Sequence, residues 1–226
     1  MMKPGSLKFS FPIDKREVTV QDRIWYVPIY YVDYLSFNFP GWNDPIFFPK
    51  ARPVKIEYCS GNGAWIAEKA RQHPDINWIA IERKFLRVRK IWSKLKNYDL
   101  DNLLIVCGEG CQATRVYFPD QTIEEVFINF PDPWPKTKHA KHRIIQAPFV
   151  QEVWRILKPA GTFTLVTDDP TYSGEMIKTL QRCPGFASSF PSPYFTTEWD
   201  NYGNSFFEDL WRMQGKQIHY HQFKKV

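Results

Sequence analysis

From Ala51 onward the chain alternates short apolar runs with amphipathic stretches, and this alternation constrains the fold more than any other feature. Val54–Tyr58 reads as a strand that runs into Gly61-Asn62-Gly63 and a helix through Trp65, Ile66 and Ala70. Asn77–Glu82 reads as a second strand, followed by a helix with Phe85, Val88, Ile91, Trp92 and Leu95 at helical spacing. Residues 103–107, 125–130 and 162–167 are further expected strands, and residues 144–157 a helix stopped by Lys158-Pro159-Ala160-Gly161. Repeated β–α units bury both faces of a sheet whose strands run parallel. The expected fold class is therefore α/β: a Rossmann-like, doubly wound, mostly parallel sheet with helices on both faces. Such sheets bind ligands beyond the carboxyl ends of their strands. Glu57, the turn that follows it, Glu82, Glu109, Asp132 and Asp168 all stand there.

The first 50 residues differ. Twelve of them are aromatic, and Pro28, Pro40, Pro45 and Pro49 interrupt them, so long regular elements are not expected. The predicted organisation is an aromatic arm, residues 1–50, packed on a domain spanning 51–226. Core packing is the expected role of the arm's rings, with base stacking as the alternative. A net charge of +6 suits a polyanionic partner but equally describes a protein that is merely basic. The start of the chain lacks the apolar run of a signal peptide, and no stretch reaches the length of a membrane span, so a cytoplasmic location is expected. Four scattered cysteines form no disulfide framework. Cys107 and Cys111 have no CxxC partner and no nearby His at ligand spacing, so they are expected to be buried thiols and no metal is expected.

At the first strand–helix junction, glycines let the backbone approach a ligand that a Cβ would block. Ile66 stands where a dinucleotide fingerprint needs its third glycine, and no GKS or GKT phosphate loop is present. Glu57 opens the turn with a carboxylate, which repels a pyrophosphate and suits a cation such as a sulfonium with an α-amino group. Glu82, 19 residues after Gly63, closes the second strand, where a carboxylate can accept both hydroxyl protons of a ribose. Gly61, Gly63, Glu57 and Glu82 are thus expected to hold an adenosyl cofactor, with folding little dependent on Glu82. Glu109 has two open readings, a contact to an adenine amino group or a solvated loop acid.

Phe130-Pro131-Asp132-Pro133-Trp134-Pro135-Lys136 presents one acid and one aromatic on a backbone stiffened by three prolines, which suits gripping a flat base. A structural turn is the alternative. Lys136, Lys138, His139, Lys141, His142 and Arg143 follow, six cationic or titratable groups in eight positions. Crowding of that kind points to phosphate, and so to nucleic acid. The basic residues of the second helix, Arg83, Lys84, Arg87, Arg89, Lys90, Lys94 and Lys96, read as a solvated face.

On these residues the chain resembles the bacterial tRNA (guanine-N7)-methyltransferases. IEYCSGNG, WIAIE, FPDPWPKTKHAKHR, LKPAGTFTLVTDD and SFFEDLWRMQGKQIHY occur in the family's order. The resemblance implies a class I methyltransferase fold that takes S-adenosyl-L-methionine, with cofactor contacts from Glu57, Glu82 and Glu109. It implies that Asp132 is the catalytic acid, set against the cofactor as well, and that Lys136, Asp168, Ser205 and Glu208 contact a tRNA substrate at its variable-loop guanine. Ser205 to Glu208 is also a capping-box pattern, and both roles are compatible. The chain departs from the family at Cys59, where a glycine is usual, at Glu109, where Asp is usual, and at His142, which replaces an Arg. Two other readings of the residues are an amino-methyltransferase acting on nucleic acid and a non-catalytic RNA-binding protein on a Rossmann-like scaffold.

Overall fold

The computed structural model describes residues 1–11, 17–28, 37–203 and 205–226. Tyr30, Tyr31 and Tyr34 of the aromatic arm lie outside the described residues. The chain forms two compact units, Met1–Pro119 and Asp120–Val226.

In the first unit the strands lie in the order β1-β2-β5-β4-β3. β1 (Thr19–Gln21) and β2 (Ile24–Val27) form an antiparallel hairpin. Its two turn residues, Asp22 and Arg23, take φ of 49° and 66°, the left-handed conformation that suits the twist of a tight hairpin. β3 (Val54–Tyr58), β4 (Asn77–Glu82) and β5 (Leu103–Gly108) are parallel to one another, and β2 joins β5 in parallel. The helices α1 (Ala64–Gln72), α2 (Phe85–Asn97) and α3 (Gly110–Tyr117) follow β3, β4 and β5 in turn. Described rings of the first 50 residues pack inward: Trp25 is fully buried, with Phe47 at 4.8 Å and Tyr117 at 5.2 Å. The hairpin was not expected, because its strands are only three and four residues long.

In the second unit β6 (Ile123–Asn129) runs parallel to β7 (Leu157–Thr167), and β9 (His219–Lys225) joins β7 antiparallel, with β8 (Phe186–Ser188) beyond it. α4 (Ala147–Ile156) begins three residues later than the sequence suggested, because Pro148 belongs in a first turn. β7 starts earlier than expected and passes through Ala160 at φ 64°. α5 (Pro170–Gln181) and α6 (Phe206–Met213) complete the unit.

β9 escapes a reading by apolar pattern because HYHQFKK is polar, yet most of it is buried. His221 is fully buried: its Nδ1–H donates to the Leu165 carbonyl at 3.1 Å, and Ser173 Oγ lies 2.8 Å from Nε2. Burial pushes its pKa down to about 4, so the ring is neutral. Lys225 donates from Nζ to the carbonyls of Trp154 and Leu157 at 2.7 and 2.8 Å. Both of these buried polar side chains therefore have partners, as burial requires.

Candidate active site

The residues expected to hold the cofactor lie in the first unit. Glu57 and Glu82 stand at or near the carboxyl ends of neighbouring parallel strands, and they are only 2% and 6% exposed. Burying an ionised carboxylate costs far more than burying a neutral polar group unless it is paired or hydrogen-bonded. Glu82 meets that demand with two backbone donors. Its Oε2 accepts from Gly61 N–H at 3.0 Å and its Oε1 from Lys84 N–H at 2.8 Å. The Arg87 guanidinium is 3.6 Å away. Glu82 is therefore a brace of the glycine turn, which corrects the expectation that folding depends little on it.

Between these acids the backbone turns through left-handed conformations at Cys59, Gly61 and Gly63, with φ of 58°, 56° and 69°. Cys59 takes a left-handed conformation that favours glycine. At Gly63 no side chain fits, since a Cβ would stand 2.7 Å from Ile91 Cγ1 of α2. At Gly61 a Cβ would meet nothing nearer than the Cys59 carbonyl at 3.8 Å, so the outer face of the turn is open. An open glycine face between two buried carboxylates fits an adenosyl ligand that carries a sulfonium and an ammonium. Two of the roughly four lone-pair sites of Glu82 remain for ribose hydroxyls.

Two residues of α2 that read as solvated belong to this end. Lys94 donates from Nζ to the Asn62 carbonyl at 2.9 Å, and burial lowers its pKa; Arg87 faces Glu82. The two lie seven residues apart, two turns along one face of α2. Glu109 caps α3, accepting from the N–H groups of Gln112 at 2.8 Å and Cys111 at 3.3 Å. Cys107 is buried and its thiol is pushed up to about 12 by burial and by Glu82, while Cys59 is exposed. Among the described residues no group of three or more His, Cys, Asp or Glu could hold a metal ion.

The residues expected to contact the base and the substrate lie in the second unit. The Phe130 N–H continues the β6–β7 pairing by donating to the Val166 carbonyl at 2.8 Å. The chain then turns at Phe130 and Trp134, at φ 49° and 43°, and leaves the Asp132 carboxyl exposed. Trp134 is 36% exposed and lies against His142 and His139, at 5.1 and 5.7 Å between ring centres. Lys136, Lys138, Lys141 and His142 are exposed around the 3-10 helix Thr137–His142. Arg143 departs from the phosphate-binding reading. It is 6% exposed and donates to the Pro133 carbonyl at 2.7 Å and to the Trp134 carbonyl at 3.1 Å, while also pairing with Glu175.

The remaining substrate candidates all have partners within the second unit. Asp168 follows β7 and pairs with Lys216 Nζ at 2.5 Å. Ser205 caps α6 by accepting from Glu208 N–H at 3.1 Å. Glu208 is 5% exposed, and its Oε1 accepts from Tyr220 Oη at 2.5 Å and Arg212 Nε at 3.1 Å. Burial and Glu208 together push Tyr220 up to about 12, so it stays a donor. Asn129, the last residue of β6, accepts from Tyr202 Oη at 2.7 Å.

Residues 51–220 match a protein family described as "Putative methyltransferase". The chain is 42% identical to a tRNA (guanine-N(7)-)-methyltransferase of Chlamydia caviae over 99% of this chain and 98% of that one. It is 43% identical to the protein of the same description from Chlamydia muridarum, with the same coverage. Among solved structures, a SAM-dependent methyltransferase from Aquifex aeolicus superposes with a TM-score of 0.53 at 13% identity, covering 77% of this chain and 82% of that one. At that identity the likeness shows the fold, and the fold is the Rossmann-like class I methyltransferase fold.

Proposed function

The chain belongs to the tRNA (guanine-N(7)-)-methyltransferase family, and from that membership we infer that it transfers a methyl group from S-adenosyl-L-methionine to N7 of a guanine in tRNA. When bound, the cofactor supplies a methyl group made electrophilic by its sulfonium. Glu57, Glu82 and the open face of Gly61 hold it; Gly63 seats the turn on α2. Residues 1–50 serve as an arm on the methyltransferase domain of residues 51–226, and the tRNA substrate places the work in the cytoplasm. Among the described residues no helix is long and apolar enough to cross a membrane.

Guanine N7 carries an in-plane lone pair and no proton at neutral pH, so the transfer needs no strong base. Positioning and electrostatics remain as the protein's means of acceleration. Asp132 supplies them at the base: its carboxylate stabilises positive charge arriving on the purine ring and accepts a hydrogen bond from the base edge. The observation that carries this reading is the exposed Asp132 on a loop made stiff by three prolines and followed at once by exposed lysines. Lys136, Asp168 and the first turn of α6, with Ser205 and Glu208, complete the substrate contacts, Glu208 acting through the helix that it helps to shape.

The lysines give a direct test. Affinity for tRNA should fall steeply with salt, each phosphate contact contributing roughly 0.7–0.9 to the log–log slope. Replacing Lys138 and Lys141 with Ala should flatten that slope by about one to two and leave S-adenosylhomocysteine affinity unchanged. Fluorescence titrations across a salt series measure both. An unchanged slope would place the RNA on a different surface.

A further inference from the structure

The loop that carries Asp132 has a peculiar hydrogen-bonding problem. Pro131, Pro133 and Pro135 have no backbone N–H, so the segment cannot pair its own carbonyls in the usual way. Those carbonyls need an external donor. Arg143 provides one: Nε–H donates to the Pro133 carbonyl at 2.7 Å and an Nη2–H to the Trp134 carbonyl at 3.1 Å. The third arm of the guanidinium pairs with Glu175, and its central carbon lies 5.1 Å from the centre of the Tyr172 ring. Both partners are on α5, whose N-cap, Asp169, follows Asp168. Tyr172 is itself held there, its N–H donating to Asp169 Oδ1 at 2.8 Å.

A buried cation is expensive unless its donors are used, and here all three arms are engaged. Only a planar fork can reach two loop carbonyls and a carboxylate on another helix at once; an ammonium on a flexible stem cannot. The two pinned carbonyls belong to the residues immediately after Asp132. We propose that Arg143 is a positioning residue for methyl transfer, clamping the Pro133-Trp134 backbone to α5 so that the Asp132 carboxylate is held in its working place. The role is distinct from phosphate binding, because the side chain is 6% exposed. It rests on the reading of Asp132 as the catalytic carboxylate.

A double-mutant cycle on the full chain separates the clamp from general stability. The variants are Arg143→Lys, Asp132→Asn and the pair, assayed by single-turnover tRNA methylation well below every melting temperature. Arg143→Lys should slow the reaction roughly ten- to a hundredfold, the scale of a small misplacement of a reacting group. Its S-adenosylhomocysteine affinity and the salt slope of tRNA binding should stay as in the parent. In the Asp132→Asn background the same change should cost almost nothing more, because a residue that acts through Asp132 has nothing left to position.

A purely structural Arg143 would lower the melting temperature and leave the rate near normal, which overturns the proposal, as does a fully additive loss in the pair. A reduced salt slope in Arg143→Lys would assign it to phosphate and overturn the proposal as well. If Asp132→Asn itself reacts at the parent rate, the underlying reading of Asp132 fails and the proposal goes with it. Should Arg143→Lys not fold, Glu175→Gln loosens the same clamp at a half-exposed partner. It should show a smaller rate loss with the same non-additivity, and additivity there overturns the proposal.

Discussion

Asp132→Asn is expected to slow single-turnover methylation of tRNA by about two to three orders of magnitude, the range seen when one preorganised electrostatic group is lost. The substitution keeps the size of the side chain and removes its charge. Asp132 is exposed, and the loop around it takes its shape from three prolines, from the Phe130 pairing with Val166 and from Arg143. The melting temperature should therefore barely move. Affinity for S-adenosylhomocysteine should fall less than the rate, because the interaction with the purine strengthens as charge arrives during transfer. A general-base role would depend on proton removal, yet N7 has no proton to remove. A folded Asn variant with a near-normal rate would leave Asp132 as part of the loop's frame only.

Glu82→Ala should have the second largest effect, and on two readouts at once. Loss of a charge-assisted contact to ribose weakens cofactor binding by about 1.5–3 kcal/mol, or roughly ten- to a hundredfold in Kd. The variant also strands the N–H groups of Gly61 and Lys84, which Glu82 accepts from at 3.0 and 2.8 Å. Orphaning buried donors costs about 1–3 kcal/mol, so the protein should melt at a lower temperature as well. Glu82→Gln retains one acceptor oxygen near these donors and should recover part of the stability with less of the affinity. Calorimetric titration with S-adenosylhomocysteine and thermal melts of both variants check the pattern. Unchanged cofactor affinity in the Ala variant would move the ribose site elsewhere.

The strand ends that carry Glu57 and Glu82 were legible in the sequence for a physical reason. β3 and β4 are buried apolar runs, so their ends could be read to the residue, and acids at those ends, Glu57 and Glu82, stand out against them. The Asp132 loop was equally plain, because prolines announce a rigid turn whatever surrounds it. What remained hidden was burial of charge. Arg143 and Lys141, two positions apart, carry the same charge in the sequence, but one is inside and the other outside. The same holds for β9, where His221 and Lys225 are buried against specific carbonyls and mask the strand's apolar alternation. Lys94 and Arg87 were read as solvent-facing, because a helix's basic face shows no sign of a carbonyl or carboxylate waiting beside it. Pairing partners far apart in sequence, such as Asp168 with Lys216, leave no local pattern at all.

The most direct test of the central claim is mass spectrometry of nucleosides from unmodified tRNA incubated with the enzyme and S-adenosyl-L-methionine carrying a deuterated methyl group. The account predicts labelled 7-methylguanosine as the product, formed from tRNA and absent with Asp132→Asn at short times. Label on an exocyclic amino group, or no label in tRNA from a protein that binds S-adenosylhomocysteine, would contradict it.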